Sequence, residues 1–171
     1  RSYDLKGDFI VNDISAGEDD PQMLPVVGRL GLKYIAMHKR GTPETMQSLT
    51  DYNDIVGDLV AYFNEFSQKA LQFEIKNWIL DPGFGFAKTL QQNYEILSRL
   101  EELKQLERPI LVGVSRKSMI YKLLNISPEE SLAATQVVHF QALQKGADIL
   151  RVHDVKAAVE TIHLVRKIKE S

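Results

Sequence analysis

An α/β fold of repeated βα units is what this 171-residue sequence predicts. Two observations carry the prediction. Five short runs are apolar, rich in β-branched or aromatic residues, and closed by polar or glycine punctuation. Between them lie longer stretches with helical periodicity. Apolar runs without alternation mark strands buried on both faces, as in a parallel sheet. Strands and helices that alternate at intervals of about 25 to 43 residues mark βα units.

The first run is Phe9-Ile10-Val11, after which Asp20-Pro21 offers the start of a short helix. Tyr34-Ile35-Ala36-Met37 is the second strand. Ile55, Leu59, Phe63, Phe66, Ala70 and Phe73 then form an unbroken i+3/i+4 stripe on one helix face. Trp78-Ile79-Leu80 is the third strand. The next helix runs from about Asn93 to Leu106, with Ile96, Leu97, Leu100 and Leu103 on its apolar side, and ends before Pro109. Ile110-Leu111-Val112-Gly113-Val114 is the fourth strand. In Ser127-Pro128-Glu129-Glu130, Ser127 is the N-cap, Pro128 the first helical residue and Glu130 the capping-box partner. Ile149-Leu150-Arg151-Val152 is the fifth strand, and Val155 to Ile168 the last helix. No linker, low-complexity tract or shift in composition divides the chain.

A (β/α)8 TIM barrel is preferred to an open doubly wound sheet, and both place a ligand at the carboxyl ends of the strands. A barrel has eight strands in typically about 250 residues. The five strands here are therefore expected to be about strands 4–8, with residues 1–171 forming the C-terminal part of a single domain and the first three βα units absent. The chain opens at Arg1 without a methionine, as expected of one joined in mid-fold. Such an incomplete barrel is expected to expose the edge of its first strand and apolar sheet surface, to be covered by partner chains.

Hydrophobic residues make up 44% of the chain and charged ones 26%, with a net charge of −2, which excludes a disordered chain. The same near-neutral charge gives no general attraction to nucleic acid or an acidic membrane. No run approaches the roughly 18 apolar residues of a membrane span. The absence of cysteine fits a reducing compartment. A cytoplasmic protein that engages neither nucleic acid nor membrane is the expectation.

Residues able to do chemistry gather at the strand ends. Asp81-Pro82-Gly83-Phe84-Gly85-Phe86-Ala87-Lys88 sets a carboxylate beside flat apolar rings. A carboxylate accepts paired hydrogen bonds from an amino-pyrimidine edge, and two exposed phenylalanines in a loop point to a ring ligand. Ser115-Arg116-Lys117-Ser118 puts two cations and two hydroxyls past the fourth strand, favourable to an anion. Arg151 and His153 share one side of a strand at its period of two and suit a phosphate or diphosphate. Asn12 ends the first strand, where an unpaired buried amide would be costly. His38 fits a loop-anchoring role, while His139 and His163 read as structural or surface residues. No His, Glu or Cys spacing suggests zinc, and neither a Walker-type loop nor a nucleophile elbow is present.

Taken together, Asn12-Asp13-Ile14-Ser15, Met37-His38-Lys39-Arg40-Gly41-Thr42-Pro43, Asp81 to Lys88, Leu111 to Ser118 and Ile149 to Val155 resemble the dihydropteroate synthase family. Members join 6-hydroxymethyl-7,8-dihydropterin diphosphate to 4-aminobenzoate, giving 7,8-dihydropteroate and diphosphate. The resemblance implies that Asn12 and Asp81 hydrogen-bond the pterin and that Met37, Phe86 and Gly113 line its pocket. It places Lys117 above the ring, Arg151 and His153 on the diphosphate, and Ser118 near the aminobenzoate carboxylate. Asp81, Lys117, Arg151 and His153 would be the catalytic set. The implied reaction displaces diphosphate from the pterin methylene carbon through a carbocation-like state. Magnesium is expected with the diphosphate, its protein ligand lying outside this sequence, and the family is usually dimeric.

Two departures from the family stand out. Ala87 replaces a usual glycine, and its methyl is expected to require a negative φ. The family's front loops, with an asparagine for magnesium and an acidic residue for the pterin, have no counterpart here, so this chain alone is expected to be inactive. Two rivals share the ring-binding logic. A pterin-binding methyltransferase would not need the cationic cluster at 115–118 and 151–153, and a non-catalytic pterin-binding protein would not release diphosphate.

Overall fold

The computed structural model of the chain describes residues 9–41, 45 and 49–170. Five strands alternate with helices: β1 Ile10–Asp13, α1 Met23–Arg29, β2 Lys33–Met37, α2 Ile55–Gln72, β3 Trp78–Asp81, α3 Leu90–Ser98, β4 Leu111–Val112, α4 Ser118–Leu124, α5 Leu132–Gln144, β5 Ile149–Leu150 and α6 Val155–Lys169. The strands run parallel in chain order. β1, β2 and β3 form one sheet and β4 and β5 another, with a parallel bridge from Leu80 to Ile110 between them. An α/β architecture with parallel sheets is thus observed. Thr42 and Pro43 lie outside the described residues.

Only the middle of the row is buried as the apolar runs predict. Tyr34, Ala36, Met37, Leu80, Ile110 and Val112 are fully covered. β1 is not a strand buried on both faces, because it ends the row and Ile10 is 49% exposed. β5, at the other end, is half-buried and stops at Leu150.

α2 closes over the sheet through its apolar stripe. Asp54 caps it by accepting from the Val56 amide, and Ile55, Leu59, Phe63, Phe66 and Ala70 face inward. Phe66 meets Trp78 edge-on at 4.9 Å and stacks on Tyr34 at 5.8 Å. Burying such rings supplies about 1.5–3 kcal/mol each, which is why this helix fixes the β2–β3 pair.

The helix expected from Asn93 to Leu106 is two pieces. α3 starts at a capping box, Thr89 with Gln92, and ends at Ser98, after which Leu100–Leu106 is a 3-10 helix. The cause is visible in the spacing of Leu97, Leu100, Leu103 and Leu106, which is strictly three. A 3-10 helix has that period, and it turns both Leu100 and Leu103 fully inward. The Ser127–Glu130 capping box forms as expected, with reciprocal bonds of 2.9 and 3.3 Å, though the first turn is 3-10 and the α-helix starts at Leu132.

At the end of β1, Asp13 is a structural carboxylate. It accepts from Tyr34 Oη, Ser15 N, Ser15 Oγ and Gly17 N. Burial alone would raise its pKa, but these bonds, Tyr34 foremost, hold it below the ordinary value. Tyr34→Phe is expected to cost about 2 kcal/mol, the worth of a buried hydrogen bond to a charged group. Urea unfolding of the two chains checks this, and equal midpoints would refute it.

Candidate active site

Asp81, the last residue of β3, is 1% exposed. Its Oδ1 accepts the Gly83 amide at 2.8 Å, so the turn after the strand uses one oxygen. Its Oδ2 lies 3.0 Å from Arg151 Nη2, yet no donor is aligned on it and it has no hydrogen-bond partner. Burial pushes this carboxyl above the usual range, opposed by Arg151, the Gly83 amide, Lys117 and Lys88. A buried carboxylate with an oxygen left over is an acceptor set for a ligand.

Arg151 reaches Asp81 across the strand ends because residue 113 is glycine. A Cβ at Gly113 would stand 2.7 Å from Arg151 Nη2. Arg151 Nη1 donates to Asn12 Oδ1 at 3.4 Å. Asn12, Asp81, Gly113 and Arg151 therefore meet, each from the carboxyl end of a different strand. Asn12 is exposed rather than buried, as β1 ends the row.

Lys117, the N-cap of α4, extends over the loop that follows β3. Its Nζ donates to the Phe84 carbonyl and stands 4.9 Å from the centre of the Phe86 ring. Burial draws its pKa down to about 8, with Asp81 opposing and Arg151 reinforcing the fall. Phe86 is half-buried beside this cation, but Phe84 is 1% exposed and belongs to the core, so one phenylalanine, not two, faces outward. Ala87 adopts φ +50°, contrary to the expected negative value. The left-handed region costs an L-residue about 1–2 kcal/mol, and the surrounding loop bears it with the methyl wholly buried.

The expected Arg151 and His153 pair does not form one face. Since β5 ends at Leu150, the alternation of a strand no longer applies. His153 turns to Ser115, with Nδ1 3.0 Å from Oγ and the backbone amide donating to the same oxygen. Arg116 also leaves the cluster: its guanidinium takes both oxygens of Asp154 at 2.6 and 2.9 Å. Ser118 is the half-buried first residue of α4. Met37, paired in register with Asp81, is fully covered and lines no open surface within this chain.

Sequence reasoning passed over Lys88. It is buried, donating to Gly83 O, Phe86 O and His38 Nδ1 at 2.9–3.0 Å. The available signal was a lone lysine closing a glycine-rich loop with no carboxylate beside it in sequence. The His38 ring ties the loop after β2 to the loop after β3 through Lys88, while its backbone amide donates to Asp81 O. Among the described residues, no three His, Asp or Glu side chains gather into a cation site.

The fold and this mouth define a class: residues 4–153 match the pterin binding enzyme family, and the chain belongs to it. Its relatives sharpen that. It is 44% identical over 157 residues to the dihydropteroate synthase of Synechocystis sp., covering 90% of this chain and 54% of that protein. To the Escherichia coli dihydropteroate synthase it is 42% identical over 161 residues, covering 93% and 57%. The crystal structure of the Yersinia pestis dihydropteroate synthase with a sulfonamide drug superposes with a TM-score of 0.92 at 36% identity, covering 96% of this chain and 60% of that one. The Thermus thermophilus enzyme in complex with 6HMPPP gives 0.89 at 34% identity, covering 95% and 65%. The chain thus spans little more than half the length of the curated relatives it matches.

Proposed function

We propose that this chain supplies the pterin-binding side of a dihydropteroate synthase, and that its five βα units are part of a (β/α)8 barrel. The observation that carries the reading is Asp81, a buried carboxylate whose Oδ2 is ion-paired with Arg151 but accepts no aligned hydrogen bond, at a mouth shared with Asn12 and Gly113. The 2-amino group and ring N–H of a pterin are the paired donors such an acceptor wants. The reaction joins the aminobenzoate nitrogen to the pterin methylene carbon. The carbon–oxygen bond breaks, diphosphate leaves with the electron pair, and the amine loses a proton to water.

Within that reaction, Asp81 fixes the ring and offsets positive charge developing at the methylene carbon. On pterin binding Arg151 exchanges Asp81 for the ligand, Lys117 and Arg151 supply cations for the diphosphate, and His153 supplies a ring hydrogen-bonding group. Phe86 provides apolar wall, with Met37 as buried backing at the end of β2, and Ser118 a hydroxyl for the aminobenzoate carboxylate. Magnesium would accompany the diphosphate, held by a protein ligand outside this sequence, and would help to stabilise the departing anion. The relatives' names favour the synthase over a methyltransferase or a non-catalytic binder. Turnover requires the βα units that the longer relatives possess.

Calorimetry with the dihydropterin diphosphate tests the reading, and a completed barrel that neither binds it nor releases diphosphate would end it. The pH dependence is a second test. Lys117 is cationic below about 8 and neutral above. Affinity for the diphosphate is therefore expected to fall as pH rises through that value, and Lys117→Met to remove this alkaline limb. An unchanged limb in the variant would clear Lys117 of the role.

Oligomeric state and compartment follow the same reading. Val137, Phe140, Val155, Leu164 and Ile168 are exposed on α5 and α6, apolar surface that suits a homodimer. Sedimentation as a monomer at micromolar concentration would exclude this. Among the described residues no helix is long and apolar enough to cross a membrane, and a cytoplasmic enzyme is the proposal.

A further inference from the structure

We propose that Lys88 is a positioning residue of the pterin site, its Nζ locking the loop after β3 onto the loop after β2 and coupling its charge to that of Asp81. This rests on the pterin reading above and deepens it.

The geometry starts from the backbone of residues 82–88. A glycine-rich loop at a strand end cannot pair its carbonyls in a ladder, and buried carbonyls need donors. Lys88 Nζ supplies two of them, to Gly83 O at 3.0 Å and to Phe86 O at 2.9 Å. Its third contact is His38 Nδ1 at 3.0 Å. An ammonium has three donors and no acceptor, so three accepting atoms satisfy it fully, and His38 then carries its proton on Nε2. Burial holds His38 neutral, its pKa drawn down to about 2 with Lys88 and Arg40 adding to the fall. Asn93, also buried, completes the brace by accepting the Gly85 amide at 2.7 Å.

This lock bears on the site at three places. Gly83 N is the donor to Asp81 Oδ1, so the path of Gly83 sets the carboxylate's orientation. The Phe84 carbonyl is the seat of Lys117 Nζ, and the Phe86 ring lies beneath that cation. Moving the loop therefore moves Asp81, Phe86 and Lys117 together. There is no room for a bulkier path, since a Cβ at Gly83 would stand 2.0 Å from the His38 carbonyl.

The charge has a separate effect. The groups facing Lys88 are His38 and Arg40 from the end of β2, Asp81 from β3, and Lys117 from the loop after β4. Asp81 is the one anion among them. It opposes the burial that draws the Lys88 pKa down to about 7, and Lys88 in turn helps to hold Asp81 ionised. A plain structural lysine would move stability alone. This one is expected to move the protonation of Asp81.

The test is Lys88→Met in the completed enzyme, with melting, pterin affinity against pH, and the KM for 4-aminobenzoate read together. The expected result is a folded protein whose Kd for the dihydropterin diphosphate rises about tenfold, whose acid limb of pterin binding moves to higher pH, and whose KM for 4-aminobenzoate is unchanged. A folded variant with unaltered Kd and acid limb overturns the proposal, as does a parallel loss of every constant. Should the variant not fold, 15N-lysine NMR on the wild type and Asp81→Asn decides the matter. Lys88 is expected to titrate at lower pH in Asp81→Asn, and an unmoved titration overturns the coupling. Failure of the wild type itself to bind the pterin sinks the pterin reading, a result distinct from either of these.

Discussion

Replacing Asp81 by asparagine is expected to weaken binding of the dihydropterin diphosphate by about 100-fold or more. The estimate follows from the bonds involved. A hydrogen bond to a charged group is worth about 1.5–3 kcal/mol, and two of them would converge on one carboxylate. Asparagine keeps the shape but offers one acceptor oxygen and presents an amide N–H2 where the second donor of the ring must sit. About 2.7 kcal/mol corresponds to the factor of 100. The fold should survive, because Asp81 Oδ1 serves only the local Gly83 amide and Arg151, 37% exposed at its side chain, is left able to turn to water. Calorimetric affinities and melting curves of both chains are the measurement. Loss of affinity with an unchanged melting point supports a ligand-facing carboxylate. Equal affinities would mean that the orphaned oxygen of Asp81 faces something other than the pterin.

Much of this molecule was legible because its cues are local. The apolar stripe from Ile55 to Phe73 places α2 with its first residue correct and overruns its last, Gln72, by one, and Ser127 with Glu130 forms the reciprocal cap that the spacing implies. The βα alternation likewise follows from punctuation at each strand end. What sequence could not carry was the direction of long side chains between elements. Arg151 and His153 look like partners at a strand's period of two, yet β5 ends first and each turns to a different neighbour, Asp81 and Ser115. Arg116 looked like half of an anion site, and its partner Asp154 lies 38 residues away in the sequence. Lys88 was in plain view in the glycine-rich loop, but its acceptors are two carbonyls and a histidine from another strand end. Exposure of β1 and Asn12 also depends on what lies beside the row, which no periodicity records. Family resemblance supplied the roles proposed at the mouth, while the meeting of Asp81, Gly113 and Arg151 there is visible only in the structure.

Acidification is expected to unfold this chain steeply below about pH 6.5, and two histidines are the cause. His38 is buried against Tyr62, whose ring meets it edge-on at 4.8 Å, and burial lowers its pKa to about 2. His139, on the inward side of α5, is lowered to about 4 for the same reason, with Asp154 opposing, and its Nε2 has no hydrogen-bond partner. The unfolded chain would protonate both near 6.5. Their folded pKa values are the lower ones, so the unfolded state binds more protons in the interval between. Stability is then present in full above about pH 6.5 and is lost as pH falls, through about 4 for His139 and further for His38. Each group contributes about 1.4 kcal/mol per pH unit once well below 6.5, which makes the combined slope roughly 2 to 3 kcal/mol per unit around pH 5. Asp81 works the other way, since its raised carboxyl takes a proton more readily in the folded chain, and it offsets part of the loss near pH 4. Against a typical stability of about 5–15 kcal/mol, a drop from pH 7 to pH 4 removes about 6 kcal/mol before that offset, a large share of what holds the chain together. Urea midpoints at pH 7, 6 and 5 measure the slope, and His139→Gln should reduce it by close to half while His38 keeps the remainder. A midpoint that does not change between pH 7 and 5 would show that both imidazoles take up protons as freely inside the fold as outside it, and the neutral His38 on which the Lys88 lock depends would go with it.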